Sequence, residues 1–232
     1  MKQVNLDFVT DYLTKNNKFN IAFVGDSITS TEWVHPNWRE IVEYVLKDKL
    51  ESAFSKDWRI PSWGIRCFNF GYDGSTSSDI VEKIDDIRTV NPDLVIIMIG
   101  INDPTLNVDV KTHVENIKTL IGEFENNALV ILTDIYPSGA KNQDTYLPYV
   151  NEDIAIDYRN SGFINLFEKF RDFDLDKLFT FKLEDRQTDG LHPNQLGNAY
   201  IAKVILKEVF EIEFNPELFW KTTLEGEKYP KY

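Results

Sequence analysis

The stretch NIAFVGDS, residues 20–27, sets an apolar run directly against a glycine, an acid and a hydroxyl. Ile21 to Val24 show none of the polar alternation of a half-exposed strand, which is the pattern of a strand covered on both faces. Working outward, five such strands are expected, at Asn20–Val24, Arg66–Phe70, Leu94–Ile99, Leu129–Thr133 and Phe163–Leu166. Helical spacing occupies the longer stretches Trp38–Glu51, Ser78–Thr89, Val110–Phe124, Tyr149–Arg159 and Asn194–Phe210. In the last of these Leu196, Tyr200, Val204 and Val209 mark an apolar stripe, and Asn194 suits the N-cap. Asn91-Pro92 breaks the chain before the third strand. Alternating strands and helices with right-handed crossovers predict an α/β fold, a three-layer α/β/α sandwich around a central, mostly parallel five-stranded sheet.

In such a sheet ligands bind in the crevice beyond the carboxyl ends of the strands, so the residues after each strand carry the functional signal. The first strand delivers Gly25-Asp26-Ser27, with a hydroxyl where the chain leaves the sheet. The second ends in NFGYDGSTS, residues 69–77, whose two glycines can present bare backbone N–H groups. The third ends in Gly100-Ile101-Asn102-Asp103, placing a carboxamide donor at the same edge. Much later, Asp189-Gly190-Leu191-His192-Pro193 sets a carboxylate three residues before an imidazole.

Acyl transfer needs these groups. A serine hydroxyl becomes a competent nucleophile when a neighbouring base takes its proton, and His192 can do so near neutral pH. Asp189 would hold the imidazole in the right tautomer and stabilise the imidazolium formed during attack. The N–H groups of Ser27 and Gly74, with the Asn102 amide, offer three donors for the developing oxyanion, each typically worth roughly 3–4 kcal/mol in the transition state. Each fragment alone is weak, since G-D-S, N-D and D-x-x-H are ordinary turn and cap sequences. Their joint arrangement at successive strand ends is what carries the reading.

Taken in order, GDSIT, NFGYDGSTS, GIND and DGLH resemble the four sequence blocks of the SGNH (GDSL-type) hydrolases, across residues 25 to 192. The resemblance implies a flavodoxin-like fold and a cofactor-independent serine esterase. It implies Ser27, Asp189 and His192 as the catalytic triad, with Ser27, Gly74 and Asn102 as the oxyanion hole. Gly74 is preferred over Gly71 because the family's glycine follows the block's asparagine, here Asn69, by five residues. Ile101 stands where the family more usually has threonine, and Asp73 places an acid beside the proposed oxyanion donor. Its carboxylate is expected to point away.

The formal charge of -13, from 25 basic and 38 acidic side chains, repels phosphate backbones and anionic lipid, so no nucleic-acid partner is expected. The single cysteine, Cys67, excludes an intrachain disulfide and reads as packing within the second strand. The longest apolar run, Leu94–Ile101, is too short to span a bilayer, and residues 1–17 lack a signal-peptide core. The expectation is a soluble, cytoplasmic chain. Residues 1–214 are expected to form the hydrolase domain, with 215–232 a C-terminal tail packed on it. No metal motif or dinucleotide or P-loop fingerprint is present, and the expected cofactor is none.

His113, inside a helical stretch, is expected at the surface. His35 is a rival base, and with Asp26 and Trp33 it forms the candidate set of substrate contacts. Aromatic and imidazole groups soon after the nucleophile favour small acyl groups, acetyl above all, on a small-molecule or carbohydrate ester. The alternatives are a lysophospholipase or thioesterase acting on longer chains, and a binding module of the same fold without catalysis. Oligomeric state has no signature in the sequence.

Overall fold

The computed structural model describes residues 4–54, 62–133, 161–179, 181–182 and 188–232. The elements run α1 (Leu6–Asn16), β1 (Phe19–Gly25), α2 (Trp38–Phe54), β2 (Ile65–Gly71), α3 (Ser77–Val81), α4 (Ile84–Arg88), β3 (Leu94–Met98), α5 (Val110–Phe124) and β4 (Leu129–Thr133). They continue through β5 (Ser161–Ile164), α6 (Leu166–Phe170), α7 (Leu175–Phe179), β6 (Phe181–Lys182), β7 (Thr188–Asp189), α8 (Gln195–Phe210) and α9 (Pro216–Leu224). The expected helix at 149–159 lies outside the described residues.

Five strands form one parallel sheet in the order β2-β1-β3-β4-β5, and β6 and β7 form a small antiparallel pair. The order reverses beside β1, so the topological switch point falls between β1 and β3. Gly25 pairs with Gly71 on one side and Met98 on the other, which brings the ends of three strands level.

The period of two decides which face each residue serves. Ile21 and Phe23 of β1, with Leu94, Ile96 and Met98 of β3, pack against Trp38, Ile41 and Val45 of α2 and Ile201 and Ile205 of α8. Ala22 and Val24, with Val95 and Ile97, face Ile117, Leu120 and Ile121 of α5 on the other side. β2 departs from the expectation of full burial: it is an edge strand, with Arg66 and Asn69 exposed. Cys67 packs partly buried against the first core, where burial pushes its thiol pKa well up.

Three sequence readings need correction. The expected helix at 78–89 is two short helices, α3 and α4, the first closed by a reciprocal capping box between Thr76 and Asp79. The buried stripe of α8 runs through Ala202, Ile205, Leu206, Val209 and Phe210, with Leu196, Tyr200 and Val204 only partly covered beside it. Small residues such as Ala199 and Ala202 let the helix approach the sheet, so the largest side chains do not mark its inner face. The last strand ends at Ile164, because Asn165 caps the following helix by accepting from Glu168 N–H at 2.8 Å.

The segment after residue 214 contains α9, started by an Asn215 cap with Pro216 in the first turn. Phe219 is buried in the first core, and Tyr44 Oη donates to Pro230 O at 3.1 Å. No helix among the described residues is long and apolar enough to cross a membrane.

Candidate active site

β1 ends at Gly25, where a Cβ would meet Met98 O at 2.3 Å and Thr29 Oγ1 at 2.4 Å, so only glycine lets the chain leave the sheet this tightly. Asp26 C=O then accepts from the N–H groups of Thr29 and Ser30, both at 3.0 Å, closing a turn that presents Ser27 at its apex. Ser27 is 7 % exposed.

The loop that follows is pinned rather than free. Asn37 Nδ2 donates to Ile28 O at 2.9 Å and Ser30 O at 2.7 Å, and Trp38 Nε1 donates to Ile28 O at 3.0 Å. Asn198 fastens this loop to the other half of the site. It accepts from Trp38 N–H at 2.9 Å and donates to Pro193 O at 2.9 Å, one residue beyond His192. Sequence reasoning missed Asn198; its only signal was a polar residue on the otherwise apolar inner face of α8.

β7 ends at Asp189 and leads into the turn of His192. His192 Nε2 lies 2.9 Å from Ser27 Oγ, and its Nδ1 lies 2.7 Å from Asp189 Oδ2. Asp189 Oδ1 accepts from Leu191 N–H at 2.7 Å and His192 N–H at 3.1 Å. Burial alone would raise the Asp189 pKa, but the His192 ring, these two N–H groups and the imidazole charge outweigh it and hold it below the usual range. Asn194, not Asp189, caps α8 by accepting from Gly197 N–H at 2.9 Å.

β2 and β3 supply the facing wall. Ser75 N–H returns to Tyr72 O at 3.1 Å, and Gly74 takes the position of positive φ (+72°) that such a turn reserves for glycine. A Cβ there would meet nothing within 4 Å, so the glycine is required by conformation and not by space. Asn102 Nδ2 donates to Ser75 O at 3.0 Å, which orients the carboxamide alongside the glycine turn and leaves its second hydrogen for another acceptor. Asp73 accepts from Ser30 Oγ and from Trp33 Nε1 at 3.1 Å.

The remaining predicted residues divide. Trp33 stacks on His192, with ring centroids 4.0 Å apart and planes 8° from parallel. His35 is exposed and its Nδ1 sits 2.9 Å from Glu40, while Ser27 is held by His192. Asp26 is corrected as a substrate contact: it is buried, with Oδ1 accepting from Ile28 N–H at 3.0 Å and Oδ2 without a partner. His113 is corrected as a surface residue. It is fully buried and hydrogen-bonds Asp103, whose other oxygen accepts from Ser77 N–H at 2.7 Å. Among the described residues, no cluster of three or more His, Cys, Asp or Glu could hold a metal ion.

A doubly wound parallel sheet with a hydrogen-bonded serine, histidine and aspartate at its switch point defines the three-layer SGNH class of hydrolases. The chain belongs to the GDSL-like lipase/acylhydrolase family, whose model matches residues 23–200, and it is a carboxylic ester hydrolase. Among curated proteins it is 24% identical to a GDSL esterase/lipase of Arabidopsis thaliana, over 87% of this chain and 83% of that one. It is 26% identical to an acetylxylan esterase of Geobacillus stearothermophilus, over 82% of this chain and 93% of the relative. Among solved structures, the Geobacillus acetylxylan esterase Axe2 superposes with a TM-score of 0.61 at 23% identity, covering 85% of this chain and 95% of that one. A family 3 carbohydrate esterase of Clostridium thermocellum gives 0.59 at 22% identity, covering 82% and 94%.

Proposed function

We propose that this protein removes small acyl groups, acetyl above all, from carbohydrate esters, with Ser27 as nucleophile and His192 as base. The observation that carries the reading is the unbroken chain Ser27 Oγ, His192 Nε2, His192 Nδ1, Asp189 Oδ2, with links of 2.9 and 2.7 Å. Ser27 Oγ attacks the ester carbonyl as His192 Nε2 takes its proton, and Asp189 stabilises the resulting imidazolium. The carbonyl oxygen becomes an oxyanion held by the N–H groups of Ser27 and Gly74 and by Asn102 Nδ2. His192 then protonates the departing alcohol oxygen, leaving an acyl-serine. A water, deprotonated by the same histidine, attacks that ester and releases the carboxylic acid and free Ser27.

The choice of acyl and alcohol leans on the relatives, since an acetylxylan esterase and a family 3 carbohydrate esterase share this architecture. The test is hydrolysis of p-nitrophenyl acetate by the wild-type protein and by Ser27→Ala, followed by acetylated xylo-oligosaccharides and p-nitrophenyl palmitate. Activity lost in a folded S27A supports the nucleophile, and preference for the palmitoyl ester overturns the acetyl assignment.

A further inference from the structure

The stacking of Trp33 on His192 has no counterpart in the proposed proton relay, and it ties the turn of His192 to the loops after β1 and β2. The indole covers one face of the imidazole at 4.0 Å and 8°. Its Nε1–H is anchored on Asp73 at 3.1 Å, and Asp73 is itself held by Ser30 Oγ. Ser30 and Trp33 follow the nucleophile, Asp73 immediately precedes Gly74, and His192 is the base. Three separate segments of chain are thus clasped through one aromatic ring. Trp33 is 41% exposed, so its placement serves little of the core.

We infer that Trp33 is a positioning residue for His192, and that the Trp33–Asp73 clasp sets the competence of the base independently of which ester is bound. The inference rests on His192 acting as the base of Ser27. The edges of the imidazole are fixed by Ser27 and Asp189, but two contacts in the ring plane leave it free to rock about the line joining them. A flat ring against its face removes that freedom and keeps water off that face. During attack the imidazole becomes a cation, and the electron-rich indole face is a favourable neighbour for it. Hydrogen bonding of Nε1–H to a carboxylate strengthens that property, because it pushes electron density into the ring. Trp33 Nε1–H and Ser30 Oγ–H together occupy both Asp73 oxygens, which explains how an acid can sit next to the proposed oxyanion donor.

A residue that merely platforms the substrate would behave differently from one that positions the base, and a small reactive probe separates the two. The rate of labelling by a fluorophosphonate should fall about tenfold or more in Trp33→Ala and recover in part in Trp33→Phe, which keeps a ring but loses the Asp73 anchor. With p-nitrophenyl acetate, kcat should fall by a similar factor while KM stays within about twofold. Labelling of Trp33→Ala at the wild-type rate, or a raised KM with unchanged kcat, overturns the inference in favour of a substrate contact. Absence of labelling in the wild-type protein overturns the nucleophile assignment itself, and this inference with it.

Discussion

Asp103 and His113, ten residues apart and both fully buried, share a hydrogen bond beside the site. Asp103 directly follows Asn102, and its second oxygen holds Ser77 N–H at 2.7 Å, so the pair joins the loops after β2 and β3. A buried carboxylate tolerates burial only while its partners remain. His113→Leu removes one partner at nearly constant volume and is expected to cost about 3–5 kcal/mol. For a chain of this size that corresponds to roughly 6–20 °C of melting temperature, read by thermal unfolding. A shift below a couple of degrees would mean the pair contributes nothing to the fold.

Asp26 carries a pH signature. Burial pushes its carboxyl up to about 7 against an ordinary 3.8, the Ile28 N–H opposes this, and the charges of Asp103 and Asp73 add to it. Between those two values the native state keeps a proton that the unfolded chain has lost. The stability attached to this group is therefore greatest below pH 4 and declines as pH rises towards 7. Asparagine is neutral throughout, so the melting temperature of Asp26→Asn minus that of wild type should become more positive from pH 4 to pH 8. The full swing is on the order of 4 kcal/mol. A difference that stays constant across this range would show that Asp26 is ionised in the folded protein at low pH.

How far the sequence reached is visible in which residues were misread. The strands were legible because five β-branched or aromatic runs sit where a doubly wound sheet needs them, and Val110–Phe124 matched residue for residue. That Ser27, His192 and Asp189 come together was legible because each lies next to a strand end or in one short turn, where local spacing survives folding. His113 was not legible: a histidine at helical spacing looks the same on a solvent face as on one turned to a buried acid. Trp33 and Asp73, forty residues apart, meet only because register brings β1 and β2 level. The helix Leu6–Asn16 is absent from the expected elements although Asn5 caps it, Val9 and Leu13 are buried and Leu6 and Tyr12 pack beside them at helical spacing.

Asp189→Asn tests the orientation of the base. Asp189 accepts from the His192 ring at one oxygen and from two backbone N–H groups at the other. An amide in the same place turns its NH2 either on the ring or on the backbone, so a donor meets a donor. The least costly escape is the other imidazole tautomer, with Nε2 protonated and facing Ser27, where it cannot accept the hydroxyl proton. The expected result is a fall in kcat of about 10⁴ with the fold intact, measured on p-nitrophenyl acetate alongside circular dichroism. Retention of more than about a tenth of the activity would remove Asp189 from the relay.

Asn198 offers the sharpest test of what holds the two halves together. It is buried, accepts from Trp38 N–H, and donates to Pro193 O at 2.9 Å and Asn194 O at 3.1 Å. One end of this link leads to the loop of Ser27 and the other to His192. Asn198→Leu keeps the branching and number of side-chain heavy atoms and leaves a backbone N–H and a carbonyl oxygen without partners, each at a cost of about 1–3 kcal/mol. Stability alone would then fall by several degrees of melting temperature. Because the lost link spans nucleophile and base, kcat should also drop by about 10–100-fold at temperatures where the variant is fully folded, with KM little changed, since small misplacements of reacting groups are that costly. A folded Asn198→Leu with wild-type kcat would mean that the sheet and the two cores alone hold Ser27 and His192 in register.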